Sequence, residues 1–378
     1  MRTVTLVLVS AHGDVLGALP AFSVERPYWP EVDDVVAGAR KRFGVDVTVL
    51  RLVHASRPHP HGGAVTYLAE VSDVPRPLDE TGFVPVPHPK RAPYAEVGGP
   101  AESLRWALEH FEATSVVQRK TWNLSALWTL DGPGGAVWLK HLPPFLRAEG
   151  EVLGWLGEVA PGAAPPLLAA DGTGRQLIGH LPGEDGFDAP LAARVEMADR
   201  LHELQRRALS DVSVLAGRGT RDRRGDLLRE QIVVAAEPWL AEIIGLDAVL
   251  AGLPGRLAAA AMPDTLVHGD FHPGNVRFPA ILDWGDAFLG NPAFDIIRLC
   301  GGLDPSSASA LVAHWAGLWR RTAPGCEPER AVELLAPVAP LLGAAVYANF
   351  VHNIEPSEWP YHADDVPTCL KEAVSLGS

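Results

Sequence analysis

Cysteine is scarce in this sequence, and its spacing excludes a disulfide or metal framework. The 378 residues include three cysteines, Cys300, Cys326 and Cys369. No two of them lie at the two-residue spacing that metal and redox motifs use. We interpret them as ordinary thiols of a protein from a reducing compartment.

Long uninterrupted hydrophobic runs are also lacking. The first apolar stretch, residues 6–9, is followed at once by polar residues and does not form a signal-peptide core. The long apolar run at 334–351 is interrupted by Pro337, Pro340 and Asn349, which favours a buried helix over a membrane span. The sequence therefore predicts a cytoplasmic protein with no membrane contact.

Basic residues are outnumbered by acidic ones. The chain has 32 Lys and Arg against 46 Asp and Glu, a formal net charge of -14. Residues 1–90 hold nine basic and ten acidic side chains, so the remainder carries nearly all of this charge. An acidic surface disfavours a nucleic-acid partner and permits a cationic small-molecule substrate. Solubility is the alternative explanation of the same charge.

Proline divides the chain into parts. Seven of the 34 prolines lie between Asp73 and Pro100 and predict a linker over residues 73–100. A small mixed domain is predicted before it, over 1–72. After it we predict a helix followed by strands over 101–183, and a mainly helical part over 184–378. Within the first domain, the predicted strands are 3–9, 15–22, 45–53 and 64–71, and the predicted helix runs from about Glu31 to Phe43.

The strongest motif is LVHGDFHPGNV at residues 266–276, followed by ILDWGD at 281–286. Each begins as an apolar strand and ends in a polar loop, which places Asp270, Asn275 and Asp283 at the mouth of one hairpin-like element. Phosphoryl transfer needs a carboxylate to accept or orient a hydroxyl proton, and an amide and a second carboxylate to hold Mg²⁺ against the triphosphate. Each residue alone is also typical of a loop cap. Their joint spacing favours the chemical role.

These two motifs resemble the signature of the aminoglycoside phosphotransferase and choline kinase superfamily, distant relatives of protein kinases. The resemblance covers about residues 115–370. It implies an α+β, bilobal, protein-kinase-like fold, with Mg²⁺ as cofactor and ATP or another nucleoside triphosphate as co-substrate. The implied partner is a small molecule that bears a hydroxyl group.

The resemblance also implies a role for each motif residue. Asp270 would be the catalytic base, and Asn275 and Asp283 would bind magnesium. Asp295 would brace the catalytic loop through its backbone, and His268 would be structural.

Upstream of these motifs, the superfamily has a strand lysine that contacts the nucleotide phosphates and a helix glutamate that holds it. Lys140 closes an apolar strand and Glu149 opens a helix, so these two are the predicted pair, with Glu151 as the reserve. A point charge on a fixed strand suits phosphate oxygens.

Two further nucleotide contacts follow from the resemblance. The hinge that reads the base is expected at residues 177–183, through the backbone of Gly179 and Leu181. Asn123 and Ser125 stand where the superfamily often has glycines. They are predicted either to donate hydrogen bonds to phosphate or to stabilise a turn.

The N-terminal domain resembles a Nudix fold over residues 1–72. Aligned on Gly44, the paired metal-binding glutamates of Nudix hydrolases fall on Lys41 and Arg42. Cationic side chains do not ligate magnesium, so hydrolysis there is disfavoured. The resemblance then implies an N-terminal Nudix-like α/β domain with a docking, regulatory or stabilising role.

The C-terminal segment 349–371 combines acidic and aromatic side chains. Glu355, Glu358 and Asp364 are predicted to recognise an amine-bearing acceptor such as an aminoglycoside, an amino sugar or another amino alcohol; a solvated acidic tail is the alternative. Two rival functions remain open. One is a catalytically silent nucleotide- or metabolite-binding module, suggested by the missing glycines near Asn123. The other is a Nudix-type pyrophosphatase with the kinase-like part as accessory.

Overall fold

A computed structural model of the chain describes residues 1–56, 62–73, 77–362 and 364–377. These residues form two compact units. The first unit contains Met1–Arg147, Leu168–His180 and Phe350–Asp364, and the second contains the intervening segments and the chain from Asp365 onward.

The N-terminal part of the first unit is a four-stranded mixed sheet with one helix, as predicted from the hydrophobic pattern. The strand order is β2-β1-β4-β3, with β1 parallel to β4 and the other pairs antiparallel. Residues 6–9 of β1 are buried on both faces, with Leu6 and Leu8 in one core cluster and Val7 and Val9 in another, which explains an apolar run without alternation. The elements are β1 Arg2–Ser10, β2 Val15–Val24, α1 Asp33–Phe43, β3 Val47–Ala55 and β4 Gly63–Val71.

Helix α1 begins and ends where its charges match the helix dipole. Asp33 and Asp34 lie in the first turn, and three basic residues lie in the last turn. Gly44 ends the helix at φ 68°, a left-handed conformation that glycine adopts without steric cost. The chain then enters β3.

A five-stranded sheet completes the first unit. Its order is β5-β6-β7-β9-β8, and helix α2, Gly99–His110, precedes it. The strands are β5 Ser115–Trp122, β6 Ser125–Gly132, β7 Gly135–His141, β8 Leu167–Ala170 and β9 Arg175–Gly179.

Strand β5 is hydrogen-bonded to the N-terminal part. The Gln118 side chain donates to Val49 O at 2.7 Å and accepts from Val49 N at 2.9 Å. The backbone of Val32 donates to Arg119 O at 3.0 Å. The two sheets of this unit are therefore tied together through backbone groups as well as through side chains.

The proline-rich segment packs against the five-stranded sheet near its end. Ala92, Tyr94 and Ala95 are buried in the same core as Trp128, and the Tyr94 hydroxyl donates to Trp122 O at 2.8 Å. The division of the chain at residues 72, 100 and 183 stays a prediction. Pro75, one of the prolines that suggested the linker, lies outside the described residues.

The C-terminal segment 350–364 belongs to the first unit and completes its core. Tyr361 is buried among the residues of the N-terminal core, with its ring 5.9 Å from that of Trp29 and 5.6 Å from that of Trp122. Glu355 is buried between two arginines. It accepts from Arg91 Nε and Nη2, each at 2.9 Å, and lies 3.3 Å from Arg51 Nε.

Helices dominate the second unit, as the sequence predicted. They surround a three-stranded sheet of order β10-β14-β11 and a short hairpin, β12-β13. The strands are β10 Arg221–Asp222, β11 Thr265–Val267, β12 Val276–Arg277, β13 Ala280–Ile281 and β14 Phe288–Gly290. The helices are α3 Glu149–Val159, α4 Leu191–Ala208, α5 Val212–Gly217, α6 Asp226–Ala236, α7 Leu246–Ala259, α8 Ala293–Leu299, α9 Pro305–Thr322, α10 Pro328–Leu335, α11 Ala339–Asn353 and α12 Asp365–Gly377.

No single helix of the described residues is both long and apolar enough to cross a membrane. Helices α10 and α11 reach the required length and hydropathy only when taken together, across a bend of 57°.

The Glu355 ion pairs predict a large loss of stability when the carboxylate is removed. In Glu355→Gln the buried guanidinium group of Arg51 loses its ion-pair partner and that of Arg91 keeps Glu96, and loss of a buried partner typically costs about 3–5 kcal/mol. We expect the urea midpoint of the full chain to fall accordingly. Glu333→Gln is the matched control, because Glu333 pairs with Arg330 at an exposed site. Equal midpoints for the two variants would contradict the structural role of Glu355.

Stability should also depend on pH through Glu358. Burial, and then the charge of Glu355, raise the pKa of Glu358 from 4.5 to about 8. The unfolded chain releases this proton at lower pH than the folded protein does. The free energy of unfolding therefore declines as the pH rises from the unfolded pKa toward the folded pKa. Relative to Glu358→Gln, which does not titrate, the native protein should lose roughly 2–4 kcal/mol of unfolding free energy between about pH 5 and pH 8. Parallel pH profiles of urea unfolding for both proteins would contradict this assignment.

Candidate active site

Short strands of the second unit position the loop predicted to be catalytic, 268–275, and the loop predicted to bind metal, which contains Asp283. Strand β11 is fully buried and pairs antiparallel with β14, and the loop at 268–275 leaves directly from its end. Val276 of β12 pairs with Ile281 of β13, and Asp283 follows that hairpin. A hairpin is present, but it joins β12 to β13; the apolar strand that opens the first motif, β11, pairs with β14 instead.

The carboxylate of Asp295 fixes the start of the catalytic loop. Its Oδ2 accepts from His268 N at 2.9 Å, and its Oδ1 accepts from Gly269 N at 3.0 Å. Gln205 Nε2 donates to Oδ2 at 2.9 Å. These are the backbone contacts that the resemblance implied. Burial raises the pKa of Asp295 to about 7, against the opposing effect of these three donors.

Gly269 and His268 shape the turn into the loop. Gly269 has φ 87°, and a Cβ at this position would lie 2.4 Å from Asp286 O, so only glycine fits. His268 is fully buried, and burial lowers its pKa. Its Nδ1 accepts from Asp270 N at 3.3 Å and its Nε2 lies 2.8 Å from Leu282 O, which requires a neutral ring protonated on Nε2. The histidine is structural here.

The Asp270 carboxylate lies among cationic and amide groups. Arg298 Nε donates to its Oδ1 at 2.9 Å. On the other oxygen, Oδ2 lies 3.5 Å from His272 Nε2 and accepts from Asn275 Nδ2 at 3.4 Å. Burial acts to raise the pKa of Asp270, but the His272 hydrogen bond and the Arg298 charge outweigh it and hold the pKa below its usual range. The carboxylate is therefore ionised and able to orient a hydroxyl proton.

Backbone hydrogen bonds bring Asn275 and the Asp283 loop together. Asn275 Nδ2 donates to Asp270 O at 3.0 Å, which turns its side-chain oxygen away from that carbonyl. Leu282 N donates to Asn275 O at 2.8 Å. Asp283 is the single non-glycine residue with positive φ in the described part of the chain, at 56°. Such strain persists where the surrounding structure enforces it, and it concentrates at functional sites.

The donor chemistry at Asn275 and Asp283 fits Mg²⁺. One amide oxygen and one carboxylate are hard ligands, and Mg²⁺ commonly combines one or two such ligands with water and phosphate oxygens. Among the described residues, no three His, Cys, Asp or Glu side chains cluster to form a complete metal cage.

The predicted phosphate-contacting residues lie on regular elements. Lys140 is in β7, between Leu127 of β6 and Gln176 of β9, and is buried. Glu149 is the first residue of α3 and is also buried, whereas Glu151 is exposed. Because a buried carboxylate nearly always has a cationic or hydrogen-bonding partner, burial favours Glu149 over Glu151.

The remaining predicted nucleotide contacts are placed as follows. Gly179 ends β9, and Leu181 O accepts from Arg277 Nη1 at 2.9 Å. Asn123 lies in the two-residue turn between β5 and β6, where its Nδ2 is 3.0 Å from His362 Nε2. Ser125 Oγ accepts from Trp122 Nε1 at 3.2 Å. Both polar side chains thus stabilise the turn, and phosphate binding by them stays a prediction.

The acidic residues predicted to bind the acceptor lie in the first unit. Glu355 is held by two arginines, and Glu358 is buried with Oε1 making no hydrogen bond to any described residue. Asp364 directly precedes α12. These contacts give Glu355 a structural role, and acceptor binding by the three residues stays a prediction.

Three residues of this site had no assigned role in the sequence. Arg298 follows Asp295 by one helical turn on α8, a spacing that places both on one side of the helix and was the available signal. Gln205 is distant in sequence and carried no local signal. Arg221 Nη1 donates to Gly285 O at 2.9 Å and supports the loop after Asp283, again without a sequence signal.

Comparison with known proteins gives one family and a consistent fold. Residues 115–324 match the phosphotransferase enzyme family APH. The structure resembles the apoenzyme of macrolide 2'-phosphotransferase MphH from Brachybacterium faecium (18% identity, TM-score 0.52), over 72% of this chain and 96% of that one. It also resembles APH(2")-IIa in complex with gentamicin (13% identity, TM-score 0.53), over 72% and 95% of the two chains.

A third similar structure is the complex of APH(2")-IIIa with GDP and kanamycin, at 14% identity and TM-score 0.52, over 73% and 98% of the two chains. No curated protein matches the sequence. The mixed α+β, kinase-like fold is thereby confirmed, whereas the Nudix-like assignment of residues 1–72 stays a prediction. Because the matched region spans more than half of its residues, the chain belongs to the APH family of phosphotransferase enzymes.

Proposed function

We propose that this protein is a magnesium-dependent kinase that transfers the γ-phosphoryl group of ATP to a hydroxyl group of a small molecule. The observation that carries the proposal is the arrangement of Asp270, Asn275 and Asp283. The ionised carboxylate of Asp270 lies beside the side-chain amide of Asn275, which donates a hydrogen bond to the backbone carbonyl of Asp270. The loop that follows the hairpin carries the second carboxylate, that of Asp283. Family membership supports the same reaction class.

In the proposed reaction the acceptor hydroxyl oxygen forms a bond to the γ-phosphorus. The bond from that phosphorus to the β,γ-bridging oxygen breaks, and the nucleoside diphosphate leaves. Asp270 accepts or orients the hydroxyl proton. General-base groups typically contribute about 10²–10⁴-fold to the rate, and positioning of the reactants supplies much of the remainder.

The proposed nucleotide site combines the metal loops with residues of β7, of α3 and of the end of β9. Asn275 and Asp283 would hold Mg²⁺, which neutralises phosphate charge when bound. Lys140 would contact the phosphates with Glu149 as its partner, and the backbone of Gly179 and Leu181 would read the base. The similar structure of APH(2")-IIIa is a complex with GDP, so GTP is a second co-substrate to examine.

We assign the N-terminal domain a stabilising or docking role, in a cytoplasmic protein. Two observations support it: the paired hydrogen bonds between Gln118 and Val49, and the Lys41 and Arg42 side chains at positions where a Nudix hydrolase carries glutamates. The amine-bearing acceptor stays a prediction that rests on net charge.

A catalytically silent nucleotide-binding module is the second candidate function. One observation favours it: the turn at Asn123 has no glycine, and its polar side chain is engaged by His362. The intact set of Asp270, Asn275 and Asp283 favours the kinase.

Removal of the Asp270 charge should abolish transfer. Asp270→Asn is expected to lower kcat by at least about 10²–10⁴-fold, because the amide cannot accept the hydroxyl proton. Nucleotide affinity should change by less than about threefold, since Asp270 is not a proposed nucleotide ligand. A coupled assay of ATP turnover with aminoglycosides, amino sugars and other small alcohols measures the first value, and calorimetric titration measures the second.

Asp226→Asn serves as the matched control for that experiment. Asp226 also pairs with an arginine, Arg229, but is exposed at the start of α6. Normal turnover by Asp270→Asn would eliminate the catalytic assignment. Absence of Mg-dependent turnover in the native protein with every acceptor would favour the silent module.

The metal assignment predicts a changed magnesium requirement. Asp283→Asn keeps a residue that tolerates positive φ but removes the carboxylate charge. Half-maximal activity should then need about tenfold more Mg²⁺ or higher, and EDTA should abolish activity in both proteins. Titration with MgCl₂ at fixed ATP measures this requirement. An unchanged titration midpoint in Asp283→Asn would exclude Asp283 as a ligand.

A further inference from the structure

Helix α8 places a guanidinium group against the proposed catalytic carboxylate. Arg298 Nε lies 2.9 Å from Asp270 Oδ1, and the two side chains are 53% and 40% exposed. Asp295, three residues earlier on α8, holds the backbone at the start of the same loop. Arg298 is therefore carried by a helix whose position relative to Asp270 is fixed.

The Arg298 guanidinium group has N–H donors that make no hydrogen bond to the described residues. Arg298 uses only Nε toward Asp270, and its Nη1 and Nη2 make no hydrogen bond to any residue that the structure describes. A guanidinium has five N–H donors in one plane, so four of them are left on a half-exposed fork. A fork of this kind matches the two oxygens of a carboxylate or phosphate.

Arg298 and the proposed metal ligand contact different oxygens of the Asp270 carboxylate. Asn275, the proposed metal ligand, contacts Asp270 through Oδ2 and the backbone carbonyl, whereas Arg298 contacts Oδ1. His272 also lies near Oδ2, and its ring stacks on that of Phe187 at 5.9 Å. A molecule that places a hydroxyl against Asp270 Oδ1 would therefore lie within reach of the remaining N–H donors of Arg298.

We propose that Arg298 binds the acceptor and that the acceptor carries an anionic group, a carboxylate or a phosphate, near the hydroxyl that is phosphorylated. This inference rests on the proposed kinase function. The overall charge of the chain does not oppose it, because exposed charges are screened beyond about 8–10 Å at physiological salt. An ammonium group close to the Arg298 fork would instead be repelled.

A matched series of three-carbon compounds that share a vicinal diol tests the charge preference. The series consists of 3-aminopropane-1,2-diol, glycerol, glycerate and glycerol 3-phosphate, and a hexose series consists of glucosamine, glucose, glucuronate and glucose 6-phosphate. Binding to the native protein is measured by saturation-transfer NMR, and ATP-dependent phosphorylation by ³¹P NMR. The two anionic members of each series separate a carboxylate from a phosphate ligand.

We expect an anionic member to bind at least about tenfold more tightly than its neutral and ammonium counterparts, a difference of about 1.4 kcal/mol. Arg298→Gln should remove this preference by raising KM for the anionic acceptor more than it lowers kcat, and Arg298→Lys should restore part of it. Arg330→Gln is the control, since Arg330 is 55% exposed and also paired with one carboxylate.

Three results would overturn the inference. The first is tighter binding of the ammonium members, and the second is no preference or no binding across both series. The third is faster turnover of all members by Arg298→Gln, which would mean that Arg298 only blocks access to Asp270. Failure of the kinase function gives a different result. In that case the anionic members bind in an Arg298-dependent manner, yet neither native protein nor Asp270→Asn phosphorylates them.

Discussion

The buried carboxylate of Asp295 connects three parts of the second unit. It accepts hydrogen bonds from the backbone at the start of the catalytic loop and from Gln205 on α4, while it belongs to α8. Both of its oxygens are used, so the loop cannot rotate without leaving a buried charge or buried N–H groups unpaired. The position of Asp270 and the approach of Arg298 both depend on this one anchor. Rigid support of this kind is what a catalytic group needs in order to be held in productive geometry.

The first unit has a comparable dependence on contacts between distant parts of the sequence. Its N-terminal core includes Tyr361, and the side chains of Arg51 and Arg91 both form ion pairs with Glu355 of the same C-terminal segment. Strand β5, where the family match begins, is hydrogen-bonded to the N-terminal domain. The N-terminal domain and the five-stranded sheet therefore stabilise each other. This mutual burial gives the N-terminal domain a physical role that needs no chemistry of its own.

Charge acts at two scales in this protein. The net charge of -14 is a property of the whole chain. At physiological salt, the electrostatic potential of exposed charges extends little beyond one Debye length. The environment of Asp270 is set instead by Arg298 and His272, which contact its two oxygens. The groups that contact the Asp270 oxygens, Asn275 among them, therefore determine its local electrostatic environment more than the net charge does.

Local patterns in the sequence were sufficient for several elements. The alternation and apolar runs of the N-terminal domain predicted four strands and a helix, since hydrophobic periodicity and the Gly44 cap are local properties. The two motifs predicted that Asp270, Asn275 and Asp283 lie close together, because these residues lie within a short stretch of chain, but they did not predict that β11 pairs with β14. By itself, then, the sequence determined the elements of the N-terminal domain, the loops that carry these three residues and the phosphotransferase family.

Contacts between distant residues were decided only in the tertiary structure. Glu355 appears in the sequence as one acidic residue in an acidic tail, and only the fold places it between Arg51 and Arg91. Asn123 could have faced a phosphate, but folding brings His362 to it. Gln205 and Arg298 reach the catalytic loop from separate helices. The physical reason is that burial and hydrogen bonding act between residues that are neighbours in space, and a single sequence does not state which distant residues those will be.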